Sequence, residues 1–204
     1  MKKITSLFIA LIALFTVIIQ FNLMLENRVA SVPETVIRFF SFFTILTNSL
    51  AAIYFMIYFL AQKNSRFYNV IKPGNLTAVT VYITIVGLVY QVALRHVWEP
   101  KGMQKIVDEL LHSIIPVLVI IFWYFYENHK AVQIKSSLRW LLYPLVYLFY
   151  ILIRGHFSNF YPYPFINVVQ LGYKVVVFNS IILVVVFAFV SVLFIKIGHK
   201  ISKT

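Results

Sequence analysis

Six apolar stretches, each close to the length of one bilayer crossing, take up most of this 204-residue chain. They fall at about residues 4–25, 37–62, 76–97, 108–127, 138–155 and 173–197. A helix rises 1.5 Å per residue, so about 20 apolar residues cross the roughly 30 Å hydrocarbon core of a bilayer. That core holds no water to satisfy backbone N–H and C=O groups, so each segment must satisfy its own, as a helix does. The expected fold is all-α: a single transmembrane domain over residues 1–204, built as an integral membrane bundle of six helices.

The connections are too short to hold a soluble domain, and no internal repeat or low-complexity tract interrupts them. The N-terminus begins like a secretory signal. Its apolar stretch, Ile4 to Leu25, outruns the roughly 7–15 residues of a signal core, and it reads as an uncleaved first helix. Hydrophobic residues make up 61% of the chain and charged residues 12%, about half the share of a soluble domain. The formal charge of +12 belongs to Lys and Arg flanking the apolar segments, not to a nucleic-acid surface. With no cysteine, a disulfide framework, a thiolate metal site and a Cys nucleophile are all excluded.

Those flanking charges set orientation. With the N-terminus inside, Lys2, Lys3, Lys63, Arg66, Lys72, Lys130, Lys135, Arg139, Lys196, Lys200 and Lys203 are cytoplasmic. Arg28, Arg38, Arg95, Lys101, Lys105, Arg154 and Lys174 are then external. The excess inside favours cytoplasmic N- and C-termini. Five acids (Glu26, Glu34, Glu99, Asp108 and Glu109) fall outside, in agreement.

Polar residues within the spans carry the functional reading. Side chains three or four apart share a helix face, so Thr44, Thr47 and Asn48 form one patch in the second segment. Thr77, Thr80, Thr84, Gly87 and Gln91 stripe the third, and Tyr143, Tyr147, Tyr150 and Arg154 stripe the fifth. The sixth contributes Asn179 and Ser180, and the fourth His112, followed by Pro116. Such groups commonly bond helix to helix or to the preceding turn. An ionisable residue inside a span, as His112 is, points to function. Thr44 lies seven residues into its segment, roughly 10 Å deep, and His112 four residues, roughly 6 Å. Gln91, Arg95, His96, Arg154 and His156 share that outer end. A threonine hydroxyl beside an imidazole is an activated nucleophile, and nearby Arg side chains suit an anionic head group. A metal would need His96, His112 and His156 together, and they lack ligand spacing. No Gly-rich phosphate loop and no matched broken helices of a transporter are present. No cofactor or metal is expected.

The motifs "FFTILTN", "LLHSIIPVL" and "WLLYPLVYLFYILIRGHFSNFYPYPF" together resemble the prokaryotic six-helix "Pr-six-Pr" membrane proteins over almost the whole chain. That group is distantly similar to the androgen-induced and androgen-dependent-regulator family of transmembrane threonine hydrolases, which cleave esters of fatty acids with hydroxy fatty acids. The resemblance implies Thr44 as nucleophile, with Thr47 as its alternative, and His112 of "HSIIP" as base. It brings the "YPYPF" loop, with Tyr163, and the upstream His156 to the site. Both groups tend to carry an acid about ten positions after the histidine, where this chain has Phe122. The expected activity is a lipid ester hydrolase of the bacterial cytoplasmic membrane, acting on a membrane lipid or fatty-acid ester. Asn48 or Gln91, with Thr47 and Asn179 nearby, would supply polar pocket or oxyanion contacts. Arg38, Arg95, Tyr147, Arg154, His156 and Tyr163 would hold substrate. The alternatives are a lipid-binding or structural membrane protein, and a small-solute carrier.

Overall fold

A computed structural model describes residues 1–62 and 66–202, with the Arg66 side chain left aside. Lys63 and Lys203, which enter the charge argument for orientation together with Arg66, lie outside the described residues. Among the described residues the structure is helical, with no strand. Six helices are long and apolar enough to cross a membrane: α1 (Lys2–Glu26), α3 (Phe43–Leu60), α4 (Asn75–Leu94), α5 (Met103–Tyr126), α6 (Ser136–Ser158) and α7 (Val168–Ile201). A short helix, α2 (Val32–Phe39), precedes α3.

The expected second span, 37–62, is thus divided. Phe42 adopts an extended conformation (φ −82°, ψ 123°) and a new helix starts at Phe43. Neither Pro nor Gly marks the break. Side chains stabilise it instead: Ser41 Oγ donates to the Ile37 carbonyl (2.7 Å), and the Tyr147 hydroxyl of α6 donates to the Ser41 carbonyl (2.8 Å). The Ile37 and Ser41 carbonyls, which the break leaves without helix partners, are thereby satisfied. The break places Thr44 in the first turn of α3. At the last span, α7 is interrupted at Gly172 (φ 73°, ψ 160°), a conformation that glycine tolerates, and continues from the expected start near residue 173.

Helices α1 and α3 pack along an extended seam. Small side chains allow it: Ser6, Ala10, Ala13 and Thr16 of α1 and Ala51 and Ala52 of α3 are all buried. In lipid, where tails are as apolar as leucine, such small-residue seams are what bring helices together. The outward surface of the bundle is apolar, with Phe8, Phe15, Phe178, Ile181, Val185 and Phe189 exposed. So large an apolar exterior is what a lipid-facing surface requires.

The two ends of the bundle differ. At the end that holds the termini, Lys3 Nζ donates to the Ala61 carbonyl and His199 meets the Val132 carbonyl. There the Glu127 carboxylate accepts from the Gly74 N–H (3.3 Å), the Thr77 N–H (3.0 Å) and the Thr77 hydroxyl (2.8 Å), capping the start of α4. At the opposite end the last turns of α1 and α4, one face of α2 (Thr35, Arg38 and Phe39), the first turns of α3 and α5, and the segment after α6 surround a cavity of about 540 Å³.

Candidate active site

Thr44 and His112 meet on the wall of that cavity. Thr44 Oγ1 lies 3.3 Å from His112 Nε2. The other ring nitrogen, Nδ1, lies 2.9 Å from the Asp108 carbonyl oxygen and 3.4 Å from the Asp108 carboxylate. Both oxygens only accept if the carboxyl is ionised, so the neutral ring carries its proton on Nδ1. Nε2 is then a free base facing the threonine hydroxyl. Asp108 and Thr44 are buried, 6% and 8% exposed. Asp108 Oδ2 has no hydrogen-bond partner of ordinary geometry among the described residues, although the Tyr90 hydroxyl approaches the same carboxyl. The line hydroxyl–imidazole–carboxylate has the roles and order of a nucleophile, its base and an orienting acid.

The local sequence explains the geometry. Pro116 has no N–H and its ring crowds the carbonyl four residues back, that of His112. The helix widens over Leu110–Ile114 into a π turn, which accommodates the proline. The freed His112 carbonyl faces Gly87 of α4, where a Cβ would sit 2.9 Å from it. Glycine there is a requirement of close helix approach. A second π turn, Tyr90–Leu94, carries the Tyr90 ring flat against the imidazole, with centroids 4.2 Å apart and planes 12° off parallel. His112 is thus held from its face by Tyr90 and from its Nδ1 edge by Asp108.

Asn48 locks the two helices in register. Its amide nitrogen donates to the Thr44 carbonyl (2.9 Å) and to the Leu111 carbonyl (3.3 Å), tying α3 to the residue beside His112. Both amide hydrogens are committed, which leaves Asn48 no donor for a substrate oxyanion.

Tyr163, from the "YPYPF" segment, completes the cluster. Its hydroxyl accepts the Thr44 N–H (3.2 Å) and lies 3.4 Å from Thr44 Oγ1. The ring stacks on Phe165 at 5.3 Å and meets the edge of Phe42 at 5.9 Å. Asn179 of α7 supports this segment by donating to the Phe165 carbonyl (2.8 Å) and is not turned to the cavity. Tyr147, Tyr163 and Thr44 also line a second, mostly apolar cavity of about 80 Å³ between α3, α4, α6 and α7.

Other expected site residues are placed elsewhere. Thr47 is fully buried, 3.1 Å from the Tyr143 hydroxyl, and lines neither cavity. Gln91 donates to Ser113 Oγ (2.9 Å) and accepts from Arg95 (2.6 Å). Arg95 also pairs with Glu109, which accepts from Ser113 (2.7 Å), so Gln91 and Arg95 belong to a closed network behind His112. Arg154 pairs with Glu34 at 2.8 Å. Arg38 pairs with the same carboxylate, also at 2.8 Å, but lines the large cavity near its mouth, as Arg28 does. His156 is exposed and lies 3.2 Å from the Tyr173 hydroxyl. His96, His112 and His156 form no ligand cluster among the described residues.

The expected Thr stripe of α4 is likewise structural: Thr80 and Thr84 bond back to their own helix, and Thr77 serves Glu127 and Trp123. Phe122, where the resembling families tend to have an acid, is 1% exposed among Phe55, Tyr58 and Tyr126. Ten residues of helix, about 15 Å, separate it from His112. The acid beside His112 is Asp108, one turn before it instead. By sequence Asp108 is one of the external flanking charges. The signal was its i, i+4 spacing to His112.

Compared with family models, with curated proteins and with solved structures, the chain finds no match.

Proposed function

We propose that this is a multi-pass membrane protein of the bacterial cytoplasmic membrane, with cytoplasmic termini, that hydrolyses lipid esters with Thr44 as nucleophile. The observation that carries the proposal is the alignment of Thr44 Oγ1, the His112 ring and Asp108 on the wall of a 540 Å³ cavity. The positive-inside count supports the orientation, under which that cavity lies in the outer half of the bilayer. The resemblance of the quoted motifs to the intramembrane threonine hydrolases selects the same two residues. It also suggests fatty-acid esters of hydroxy fatty acids, or similar lipids, as substrates.

In the reaction, His112 Nε2 takes the Thr44 proton as Oγ1 bonds to the acyl carbon. The proton then passes to the leaving alkoxide as the ester C–O bond breaks, which leaves an acyl-threonine. Water, deprotonated by the same Nε2, attacks that ester and releases the fatty acid with Thr44 restored. Asp108 holds the ring in the productive tautomer and balances the imidazolium charge. Arg28, and Arg38 beside its Glu34 partner, line the cavity and suit an anionic group on the substrate, whereas Arg95 and Arg154 pair with Glu109 and Glu34 and line neither cavity.

The test is hydrolysis of a panel of fatty-acid esters by the purified protein in nanodiscs, read by mass spectrometry of released acid. Thr44→Ala and His112→Ala should each lose about 10³-fold or more. A lipid-binding protein without chemistry is the second reading. The cavity itself favours it, since it would hold an acyl chain whether or not Thr44 reacts. Saturable lipid binding with no hydrolysis by the wild type would select that reading.

A further inference from the structure

An ester hydrolase must stabilise the negative charge that develops on the substrate carbonyl oxygen, and that takes donors fixed in advance. Neither donor named from sequence serves the site, and Gln91 lines neither cavity. Asn48 gives its amide hydrogens to the Thr44 and Leu111 carbonyls, and Gln91 is bonded to Ser113. Among the described residues, the side-chain hydroxyl that touches Thr44 is that of Tyr163.

We propose that Tyr163 is a catalytic residue that donates its phenolic hydrogen to the oxyanion of the tetrahedral intermediate formed on Thr44. The inference rests on the hydrolase reading above. The phenol oxygen already accepts the Thr44 N–H at 3.2 Å, which leaves its own hydrogen free. The hydroxyls beside it are Thr44 Oγ1, at 3.4 Å, and that of Tyr147, whose own hydrogen goes to the Ser41 carbonyl. Since Oγ1 gives its hydrogen to His112 Nε2, it accepts from Tyr163. The hydrogens therefore run in one direction, Tyr163 to Thr44 to His112, with His112 Nδ1 in turn donating to Asp108. When Oγ1 bonds to the acyl carbon, it ceases to be a good acceptor, and the charge appears on the oxygen one bond away on that carbon. The Tyr163 hydrogen turns from one to the other with little movement of the ring, and Tyr163 keeps its proton throughout. Thr44 and Tyr163 line both cavities, so a carbonyl passing between them lies at the junction. The first turn of α3 adds the positive end of a helix dipole there.

Two features keep the donor in place. The ring is stacked on Phe165, whose carbonyl is bound by Asn179. Further back in the segment, Phe160 lies under the Arg38 and Arg154 guanidinium groups, at 4.5 Å and 5.0 Å. Burial raises the Tyr163 hydroxyl above the usual phenol value, so it is protonated across the physiological range. The titratable and charged groups sharing its surroundings are His112 and Asp108 on α5, Tyr147 on α6, Tyr90 on α4, and Arg28 and Arg38 at the mouth.

The test compares wild type, Thr44→Ala, Tyr163→Phe and a protein carrying 3,5-difluorotyrosine at position 163, all in nanodiscs. Ester hydrolysis is measured over pH, with the Thr44→Ala rate subtracted. The expected results are a kcat lowered about 10²–10³-fold in Tyr163→Phe with KM changed only a few-fold, and an alkaline limb displaced to lower pH by the more acidic fluorinated phenol. A Tyr163→Phe rate within about three-fold of wild type overturns the proposal. If Tyr163→Phe unfolds, the fluorinated protein, which keeps the hydroxyl and its contacts, decides. An unmoved alkaline limb then overturns the proposal. Absence of any Thr44-dependent hydrolysis in the wild type overturns the hydrolase reading itself, and this inference with it.

Discussion

His112 Nδ1 sits closer to the Asp108 carbonyl, at 2.9 Å, than to the Asp108 carboxylate, at 3.4 Å, although both belong to the residue one turn earlier. The carbonyl therefore fixes the tautomer, and the carboxylate adds charge. Asp108→Asn keeps the first and removes the second. It should lower kcat by about 10–10²-fold and leave KM nearly unchanged, less than the loss expected when a triad acid alone sets the tautomer. Steady-state kinetics on the purified variant check this, and an unaltered kcat would remove Asp108 from the mechanism.

Gly87 is where α4 can come close enough to seat Tyr90 on the imidazole. A Cβ at this position would meet the His112 carbonyl oxygen at 2.9 Å, a backbone atom that cannot swing aside. Gly87→Ala should destabilise the bundle by about 1–3 kcal/mol and reduce hydrolysis per folded molecule, because α5 must shift at His112. Unfolding in mixed micelles measures the first effect and kinetics the second.

Glu34 of α2 pairs with Arg38 on its own helix and with Arg154 of α6, both at 2.8 Å. The Arg38 hydrogen bond, helped by Arg154, holds the Glu34 carboxyl below the usual carboxylate range against a smaller upward push from burial. A depressed carboxyl stabilises the fold above its unfolded value, about 4.3, and loses that contribution as pH falls through the lower folded value. Glu34→Gln should therefore lower the unfolding temperature by a few degrees at pH 7. The difference should shrink in high salt, because the pair is partly exposed, and vanish in strong acid. Thermal scans at several pH values read this directly.

Thr77 provides a control at the far end of the bundle. Its hydroxyl donates to Glu127 (2.8 Å) and accepts from the Trp123 indole N–H (3.0 Å). Thr77→Val leaves a buried indole N–H without its partner, at a cost of about 1–3 kcal/mol. Stability should fall while hydrolysis per folded molecule is unchanged. A matching loss of activity would mean that the two ends are coupled.

The spans were legible because apolar length is a strong signal: expected starts such as residues 4 and 76 fall within two residues of the helices found. The break at residues 40–42 was not, since "RFFSFFT" contains no Gly or Pro and the interruption is made by Tyr147 and Ser41 from two segments. The same holds for the polar residues. Thr44 and His112 could be paired from depth along their helices. No spacing rule tells that Gln91 and Arg95 turn to Ser113 and Glu109, or that Asn48 spends its hydrogens on two carbonyls. Those choices depend on how the helices rotate against one another. The tyrosine stripe of α6 shows this well: spacing puts Tyr143, Tyr147, Tyr150 and Arg154 on one face, and that face is the seam against α2 and α3.

The most direct measurement of the central claim is covalent labelling of the wild-type protein in membranes by a fluorophosphonate probe, with the modified residue located by mass spectrometry. The account predicts a phosphonyl adduct on Thr44 that is absent from Thr44→Ala and strongly reduced in His112→Ala at equal amounts of folded protein. Labelling at another residue, or none in a folded wild type that binds lipid esters, would contradict it.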